Sequence, residues 1–322
     1  MKKIKDFFLN HNHYKYRKAY TTAVGSDRKT PVDVTLELAS LCNMSCTYCY
    51  HSDKKNLPFQ TGIMEYKTAE KIINQAADVD AYSMKFNWRG EPSLNPRFKD
   101  IVELSRSRAR GHTLMERFTN SNFKFHESRE DIFDGFAAMT KVKISYDSFN
   151  AEVFEKQRKG GIHEVTSNNI DLFYNMKGRK TEMVIQAVRT INNKDEDIHG
   201  LVKKRWPHAS VSIRDMVEGR VNKDLESLAV KRRDHSERQS CVQAHARLIF
   251  SWDGKASPCC PDIGGSLAVG SIKDESVYDI WNGFKAKRLR EMLLDKSAFK
   301  TDPCKNCSSF ETFKGFTPNW ES

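Results

Sequence analysis

Three cysteines in one short loop, Cys42, Cys46 and Cys49, constrain this chain more than any other feature of its sequence. They follow residues 32–38, whose alternating apolar and polar side chains predict a β-strand that ends where the loop begins. Structural zinc sites and fully coordinated iron–sulfur clusters have four protein ligands. A site with three cysteines leaves one metal position open, where a substrate can bind. A zinc knuckle, or cysteines spaced by chance, is the alternative.

The overall composition is that of an ordinary globular protein. The chain has 322 residues, of which 39% are hydrophobic and 30% charged, so it is long enough for one large domain and one small one. It contains no run of about 18 apolar residues and no signal-peptide pattern, so we expect a cytoplasmic protein without membrane segments. In that compartment, the eight cysteines predict metal ligation rather than disulfides.

The chain is basic, with a formal net charge of +11 from 53 Lys and Arg against 42 Asp and Glu. Two bound iron–sulfur clusters would lower this charge to roughly +8. An excess of basic over acidic residues favours an anionic partner, such as nucleic acid or a phosphorylated substrate. The basic residues are scattered along the chain, however, and a solvated surface also explains them.

Residues 31–215 alternate strand-like with helix-like segments, and the strands begin near positions 32, 82, 113, 142, 182 and 211. These repeated βα units predict an α/β fold, a partial (β/α)6 TIM-like barrel that binds its ligands at the carboxyl ends of the strands. Around this core we expect an N-terminal arm or helix in residues 1–30, a charged linker helix in residues 216–240 and a small domain in residues 241–322.

The small C-terminal domain contains the other five cysteines: Cys241, Cys259, Cys260, Cys304 and Cys307. The pair Asp253-Gly254 predicts a type I′ β-hairpin that brings the cysteines before and after it together. A helix over residues 277–294 then returns the chain towards the last two. Four of these cysteines are enough for a closed iron–sulfur cluster or for a zinc ribbon.

The spacing Cys42-x3-Cys46-x2-Cys49, with the aromatic Tyr48 before the last cysteine, resembles the signature of the radical S-adenosylmethionine superfamily. The resemblance implies that these cysteines bind a [4Fe–4S] cluster whose open iron chelates the amino and carboxylate groups of S-adenosylmethionine. It further implies that the reduced cluster cleaves this cofactor to methionine and a 5′-deoxyadenosyl radical.

Other positions resemble cofactor contacts of the same family. The segment Arg89-Gly90-Glu91-Pro92 is similar to the Gly-Gly-Glu-Pro segment that holds the methionine amino group, with Arg89 in place of the first glycine. The cofactor-binding residues that the resemblance implies are Tyr48, Gly90, Glu91, Asn120, Ser145, Asp147, Arg158 and Gln186.

The C-terminal cysteines resemble the twitch domain, the shortened form of the SPASM domain, which binds one auxiliary [4Fe–4S] cluster. The resemblance implies that Cys241, Cys259, Cys304 and Cys307 are its ligands. Cys260 is then a spare buried thiol, or a ligand in place of its neighbour Cys259.

The resemblance implies an enzyme that abstracts a hydrogen atom from its substrate, for an oxidation or a rearrangement. We expect a small anionic metabolite, a sugar or a nucleotide, with flavodoxin or ferredoxin as the electron donor. The alternative is modification of a macromolecule, either a nucleobase in DNA or RNA or a ribosomal peptide. A non-catalytic iron–sulfur or zinc protein is a remote alternative. Guesses for a catalytic base are Asp147, Tyr146 and His163.

Overall fold

The computed structural model describes residues 13–109, 116–126, 128–216, 228–230, 241–305 and 307. Most of the segment interpreted above as a charged linker helix, residues 216–240, therefore lies outside the described residues. So do the first twelve residues of the N-terminal arm and the last fifteen of the C-terminal domain.

A single mixed sheet runs through the described part of the chain, in the order β6-β5-β4-β3-β2-β1-β7-β8-β9. The first six strands are parallel neighbours in chain order, which confirms the predicted α/β fold with a partial (β/α)6 barrel; the sheet does not close. The strands are β1 (Asp33–Leu36), β2 (Ser83–Lys85), β3 (Glu116–Ser121), β4 (Lys141–Ser145), β5 (Glu182–Arg189), β6 (Ser210–Asp215), β7 (Arg247–Phe250), β8 (Lys255–Ser257) and β9 (Gly270–Ser271).

Helices cover the outer face of this sheet, because each parallel crossover places a helix there. They are α1 (residues 13–21), α2 (Tyr66–Asp78), α3 (Phe98–Arg108), α4 (Glu130–Ala137), α5 (Ala151–Gln157), α6 (His163–Asn175), α7 (Ile198–Arg205), α8 (Gln243–Ala246), α9 (Val277–Asn282) and α10 (Phe284–Leu294). None of the helices in the described part has the length and apolar composition that a membrane span requires.

Side chains alternate between the two faces of each strand, and this alternation separates the core from the barrel interior. On β1, Val34 and Leu36 face the helices and belong to the main hydrophobic core. Asp33 and Thr35 face the interior, where Thr35 donates a hydrogen bond to Asp33 over 2.8 Å. The interior, which we call the lumen, is therefore polar.

The C-terminal hairpin continues the barrel sheet. Strand β7 pairs in parallel with β1, with Asp33 opposite Arg247, and then turns back into β8 through Gly254, whose φ is +87°. The expected hairpin at Asp253-Gly254 is confirmed, but the expected type I′ turn is wrong, because that turn needs a positive φ at both residues and only Gly254 has one. The amide of Gly254 donates to the carbonyl of Ser251 over 2.8 Å. The sequence does not predict the attachment of the hairpin to β1. The predicted helix over residues 277–294 is divided into α9 and α10 at Gly283, which has extended backbone angles.

Candidate active site

The three-cysteine loop, residues 42–49, is held by backbone hydrogen bonds to the last residue of α5 and to the chain just after it. The amide of Ser45 donates to the carbonyl of Lys159 over 2.7 Å, and the amide of Thr47 donates to that of Gln157 over 2.9 Å. The loop lies at the carboxyl end of β1, where a barrel of this kind binds its ligands. Its position is thus set by the rigid sheet and by a second βα unit.

Gly90 allows the next loop to approach the cysteine loop closely. A Cβ atom on this residue would lie 2.3 Å from the carbonyl oxygen of Leu41 and 2.5 Å from that of Ala39, both backbone atoms. The next residue, Glu91, donates its amide to the same Leu41 carbonyl over 2.8 Å. Glycine is required here by contact with the backbone just before Cys42.

Replacing Gly90 by Ala is expected to displace the cysteine loop. The added Cβ would overlap backbone atoms before Cys42, and only a movement of the backbone at Leu41 can relieve this overlap. We expect a large loss of the iron bound by Cys42, Cys46 and Cys49 after reconstitution, measured by iron analysis and absorbance. The same change at Gly178 is the control: its φ of +76° makes Ala unfavourable in its own turn, but a Cβ there would meet nothing within 4 Å, so iron content should stay unchanged. Wild-type iron content in both variants would contradict the steric argument.

The thiol groups of the loop are suited to bind a cationic iron–sulfur cluster. Burial raises the pKa of the Cys42 thiol to about 12 and that of the Cys46 thiol to about 11, and the charges of neighbouring thiolates contribute to both shifts. These mutual effects show that the three thiols lie close together. Bare thiolates are unfavourable in such surroundings, whereas iron ions stabilise the thiolate form.

Two side chains approach the sulfur atoms of the loop. Asn122 Nδ2 donates a hydrogen bond to Cys42 Sγ over 3.9 Å, and Arg158 Nη1 donates one to Cys46 Sγ over 3.8 Å. The Nε of Arg158 is buried without a hydrogen-bond partner among the described residues. Donors of this kind tune the reduction potential of a cluster. The sequence analysis did not identify Asn122, although it follows the predicted strand-end residue Asn120.

Tyr48, Asp147 and Arg158, three of the predicted cofactor-binding residues, form one buried network. Asp147 is fully buried and accepts a short hydrogen bond from the Tyr48 hydroxyl and a 2.9 Å ion-paired contact from Arg158. The amide of Val188 donates to the same carboxylate over 2.9 Å. Burial would lower the pKa of Arg158, but the Asp147 charge raises it above its ordinary value. The network fixes the aromatic residue next to Cys49.

Glu91 connects the second and third strand ends. Its carboxylate accepts hydrogen bonds from the hydroxyls of Ser93 and Ser121 and from the amide of Asn122, each over 2.8 Å. Burial raises the pKa of Glu91, while these donors oppose the shift. Three contacts converge on Oε1 and one on Oε2, so Oε2 keeps an acceptor position for a ligand.

The remaining predicted contacts stand on neighbouring strands of the lumen. Ser145 on β4 is paired with Gln186 on β5, and both are half-buried. Asn120 on β3 is also half-buried, and its amide donates to the Asn87 side chain over 2.9 Å. The structure therefore brings these three side chains to the same end of the lumen as the cysteine loop.

Two guesses for a catalytic base face away from that end. The hydroxyl of Tyr146 lies 2.6 Å from His163 Nε2, and its ring packs on Phe154 and Trp206 between the sheet and the helices. Both carboxylate oxygens of the third guess, Asp147, are already hydrogen-bonded. None of the three presents a free basic atom to the lumen.

Arg89, the residue that departs from the glycine pattern, forms a buried ion pair with Glu37. Its Nε lies 2.7 Å from Glu37 Oε1, and the Arg89 and Glu37 side chains are 7% and 0% exposed. The guanidinium stacks between Phe59 and Trp88, at 4.4 and 4.2 Å from the ring centroids. It also donates to the carbonyl of Ile263 over 2.8 Å. Arg89 thus joins the barrel to the C-terminal domain.

The C-terminal cysteines form a second group of thiols. Burial raises the pKa of Cys259, and the charges of Cys260, Cys241 and Cys307 contribute to the shift. Cys307 donates its amide to the carbonyl of Cys304 over 3.2 Å. No group of three His, Cys, Asp or Glu side chains in the described residues has the geometry for a single metal ion. In a [4Fe–4S] cluster, by contrast, each cysteine binds a different iron.

Residues 241–308 match the family model of SPASM, an iron–sulfur cluster-binding domain. With the partial barrel and the three-cysteine loop, this match supports the resemblance seen in the sequence: the chain is similar to radical S-adenosylmethionine proteins with a C-terminal SPASM domain. It is 21% identical over 281 residues to the S-adenosyl-L-methionine-dependent 2-deoxy-scyllo-inosamine dehydrogenase of Niallia circulans, covering 86% of this chain and 92% of the relative.

Solved structures share the fold. The crystal structure of BtrN in complex with AdoMet and 2-DOIA has a TM-score of 0.59 and 19% identity, covering 88% of this chain and 94% of that one. The structure of native anSMEcpe with bound AdoMet and Cp18Cys peptide has a TM-score of 0.62 and 18% identity, covering 86% of both chains. The SPASM match supports the expected auxiliary iron–sulfur cluster in residues 241–308, and both of these solved structures contain AdoMet, the cofactor expected from the sequence.

Proposed function

We propose that this chain is a radical S-adenosylmethionine enzyme that oxidises or rearranges a small anionic metabolite of the sugar or nucleotide class. The observation that carries the proposal is the three-thiol loop, with Cys46 buried and Cys42 and Cys49 half-buried, which lies at the end of a polar lumen between the Glu91 and Asp147 networks. When bound there, the cluster and S-adenosylmethionine supply a 5′-deoxyadenosyl radical that abstracts a hydrogen atom.

The residues of the chain have separate tasks in this proposal. Cys42, Cys46 and Cys49 would hold the cluster, and Arg158 and Asn122 would donate N–H groups to its sulfur ligands. The free acceptor position of Glu91, with Gly90, would receive the methionine amino group. Tyr48 on the cysteine loop, with Asn120, Ser145, Asp147 and Gln186 at the strand ends, would bind the rest of the cofactor.

Cys241, Cys259, Cys304 and Cys307 would hold the auxiliary [4Fe–4S] cluster, whose contribution is to accept the electron that an oxidation releases. Four cysteine ligands leave no iron open for substrate, which favours this role. Support comes from the Niallia circulans relative, a dehydrogenase by name, which this chain matches over 92% of its length. Flavodoxin or ferredoxin is the proposed donor that reduces the first cluster.

Modification of a macromolecule is the second candidate. It is favoured by the net charge of +11 and by the shared fold with anSMEcpe, whose structure contains a peptide. A peptide or nucleic acid would have to enter the lumen from its open end. The two candidates differ in the effect that a polymer has on the reaction.

The test is release of 5′-deoxyadenosine by the anaerobically reconstituted, reduced protein, with iron content measured on the same sample. We expect slow release that DNA, RNA and peptide libraries leave unchanged, and faster release with phosphorylated sugars or nucleotides. Stimulation by a polymer would select the second candidate. No release from protein with a full iron content would refute the radical chemistry.

A further inference from the structure

We propose that Lys85 and Lys143 form an anion-binding site in the lumen, which holds the phosphate group of a small phosphorylated substrate. The proposal rests on the function proposed above, because the same lumen must receive the substrate. It adds the chemical group that is recognised and the two side chains that recognise it.

The register of the sheet places both lysines on the inner face, on either side of β3. Lys85 on β2 is paired with Phe118, and Lys143 on β4 is paired with Asn120, two residues further along the same face of β3. The Lys85 ammonium lies 5.9 Å from the centroid of the Phe118 ring. Adjacent strands are about 4.8 Å apart, so two long side chains that flank one strand can reach a common ligand.

Four of the inward carboxylates already have a basic side chain as their partner. These pairs are Asp33 with Arg247 at 3.1 Å, Glu116 with His13 at 2.9 Å, Glu182 with Lys141 at 3.0 Å, and Glu37 with Arg89. Within the described residues, neither Lys85 nor Lys143 donates a hydrogen bond or forms an ion pair. The lumen therefore contains two half-buried ammonium groups without a protein counter-ion in this part of the chain.

The electrostatic environment agrees with the register of the sheet, since Lys85 is among the charges that act on Lys143. Burial, together with the charges of Arg214 and Lys85, lowers the pKa of Lys143 to about 7. Burial lowers the pKa of Lys85 to about 8, with a contribution from Arg247. The other charged or titratable groups that act on the pair are Lys141, Glu182, Asp33 and Cys260. A bound dianion would reverse these shifts.

The distance between the two lysines and the proposed cofactor end of the lumen indicates the length that the substrate must span. Lys143 and Ser145 lie on the same face of β4, two residues apart, which corresponds to about 7 Å along a strand. Ser145 belongs to the proposed cofactor end. A phosphate at the lysines would thus lie one layer of side chains below the radical, a separation that a sugar phosphate or a nucleotide can span.

The test measures binding of sulfate, a tetrahedral dianion that does not titrate between pH 6 and 9, and of inorganic phosphate, by calorimetry at constant ionic strength. We expect one site per full-length chain and a loss of about tenfold or more in affinity for each of Lys85→Met and Lys143→Met, since each variant removes one charged hydrogen-bond donor from the anion. The exposed Lys67→Gln is the control and should bind as wild type. Wild-type affinity in both lumen variants would overturn the proposal.

The wild-type protein gives an independent measurement if a variant fails to fold. Because an anion binds the protonated lysines, sulfate affinity should fall by about tenfold or more as the pH rises from 6 to 9. A flat profile would contradict the site. Sulfate binding needs no cofactor cleavage, and 5′-deoxyadenosine release in the absence of substrate needs no anion. The anion site and the proposed function can therefore fail separately. Binding of acetate as tight as that of sulfate would overturn the assignment of phosphate.

Discussion

Replacing Cys42, Cys46 and Cys49 together by Ala is expected to abolish cleavage of S-adenosylmethionine while leaving about four irons per chain. The two groups of thiols are built from different parts of the structure, so the C-terminal group should still bind its cluster. Iron analysis and 5′-deoxyadenosine release on the reconstituted protein measure the two quantities separately.

The single change Cys304→Ala is the matched control for that experiment. It should also remove about four irons, but from the other group, and cleavage of S-adenosylmethionine should persist without substrate turnover. Loss of all iron from the triple variant would contradict two independent sites. Cleavage by the triple variant would contradict the assignment of the loop.

Replacing Arg89 by Met is expected to lower the free energy of unfolding by about 3–5 kcal/mol, because it leaves the carboxylate of Glu37 buried without its partner. Glu37 is 0% exposed, and its remaining donor in the C-terminal hairpin is the Trp252 amide at 3.2 Å. The midpoint of urea unfolding, monitored by the fluorescence of the nearby tryptophans, measures the effect.

The control is the double variant Arg89→Met with Glu37→Gln, which removes both charges. The free energy of unfolding of the double variant should lie much closer to that of the wild type, since the destabilisation comes from an unpaired buried charge rather than from lost packing. An unchanged urea midpoint in the single variant would show that solvent reaches Glu37. Equal losses in the single and double variants would assign the effect to the stacking of Arg89 on Phe59 and Trp88.

Local patterns were enough to predict the order of the first six strands and the loop that carries the thiols. Strand periodicity and cysteine spacing are short-range properties, and parallel βα units leave few choices of topology. The positions of Asn120, Ser145 and Gln186 at one end of the lumen followed from the same rule, because the carboxyl ends of parallel strands meet.

Long-range pairings were beyond this reasoning. The pairing of β1 with β7 joins Asp33 to Arg247, and no periodicity in either segment specifies the partner. Arg89 did carry a signal, since it replaces a glycine, but its counter-ion Glu37 is recognised only when β1 and β2 are adjacent. The contacts of the two guesses for a base on β4 and its end were equally beyond it: Tyr146 and Asp147 alternate in direction, and both have internal hydrogen-bond partners.

The attachment of β7 to β1 affects how the first cluster is protected. Without the hairpin, β1 would be the edge of the sheet, with a row of unpaired backbone groups open to association with other chains. That strand leads directly into the cysteine loop. Besides its proposed role in binding iron, the C-terminal domain therefore shields from aggregation the strand that leads into the proposed radical site.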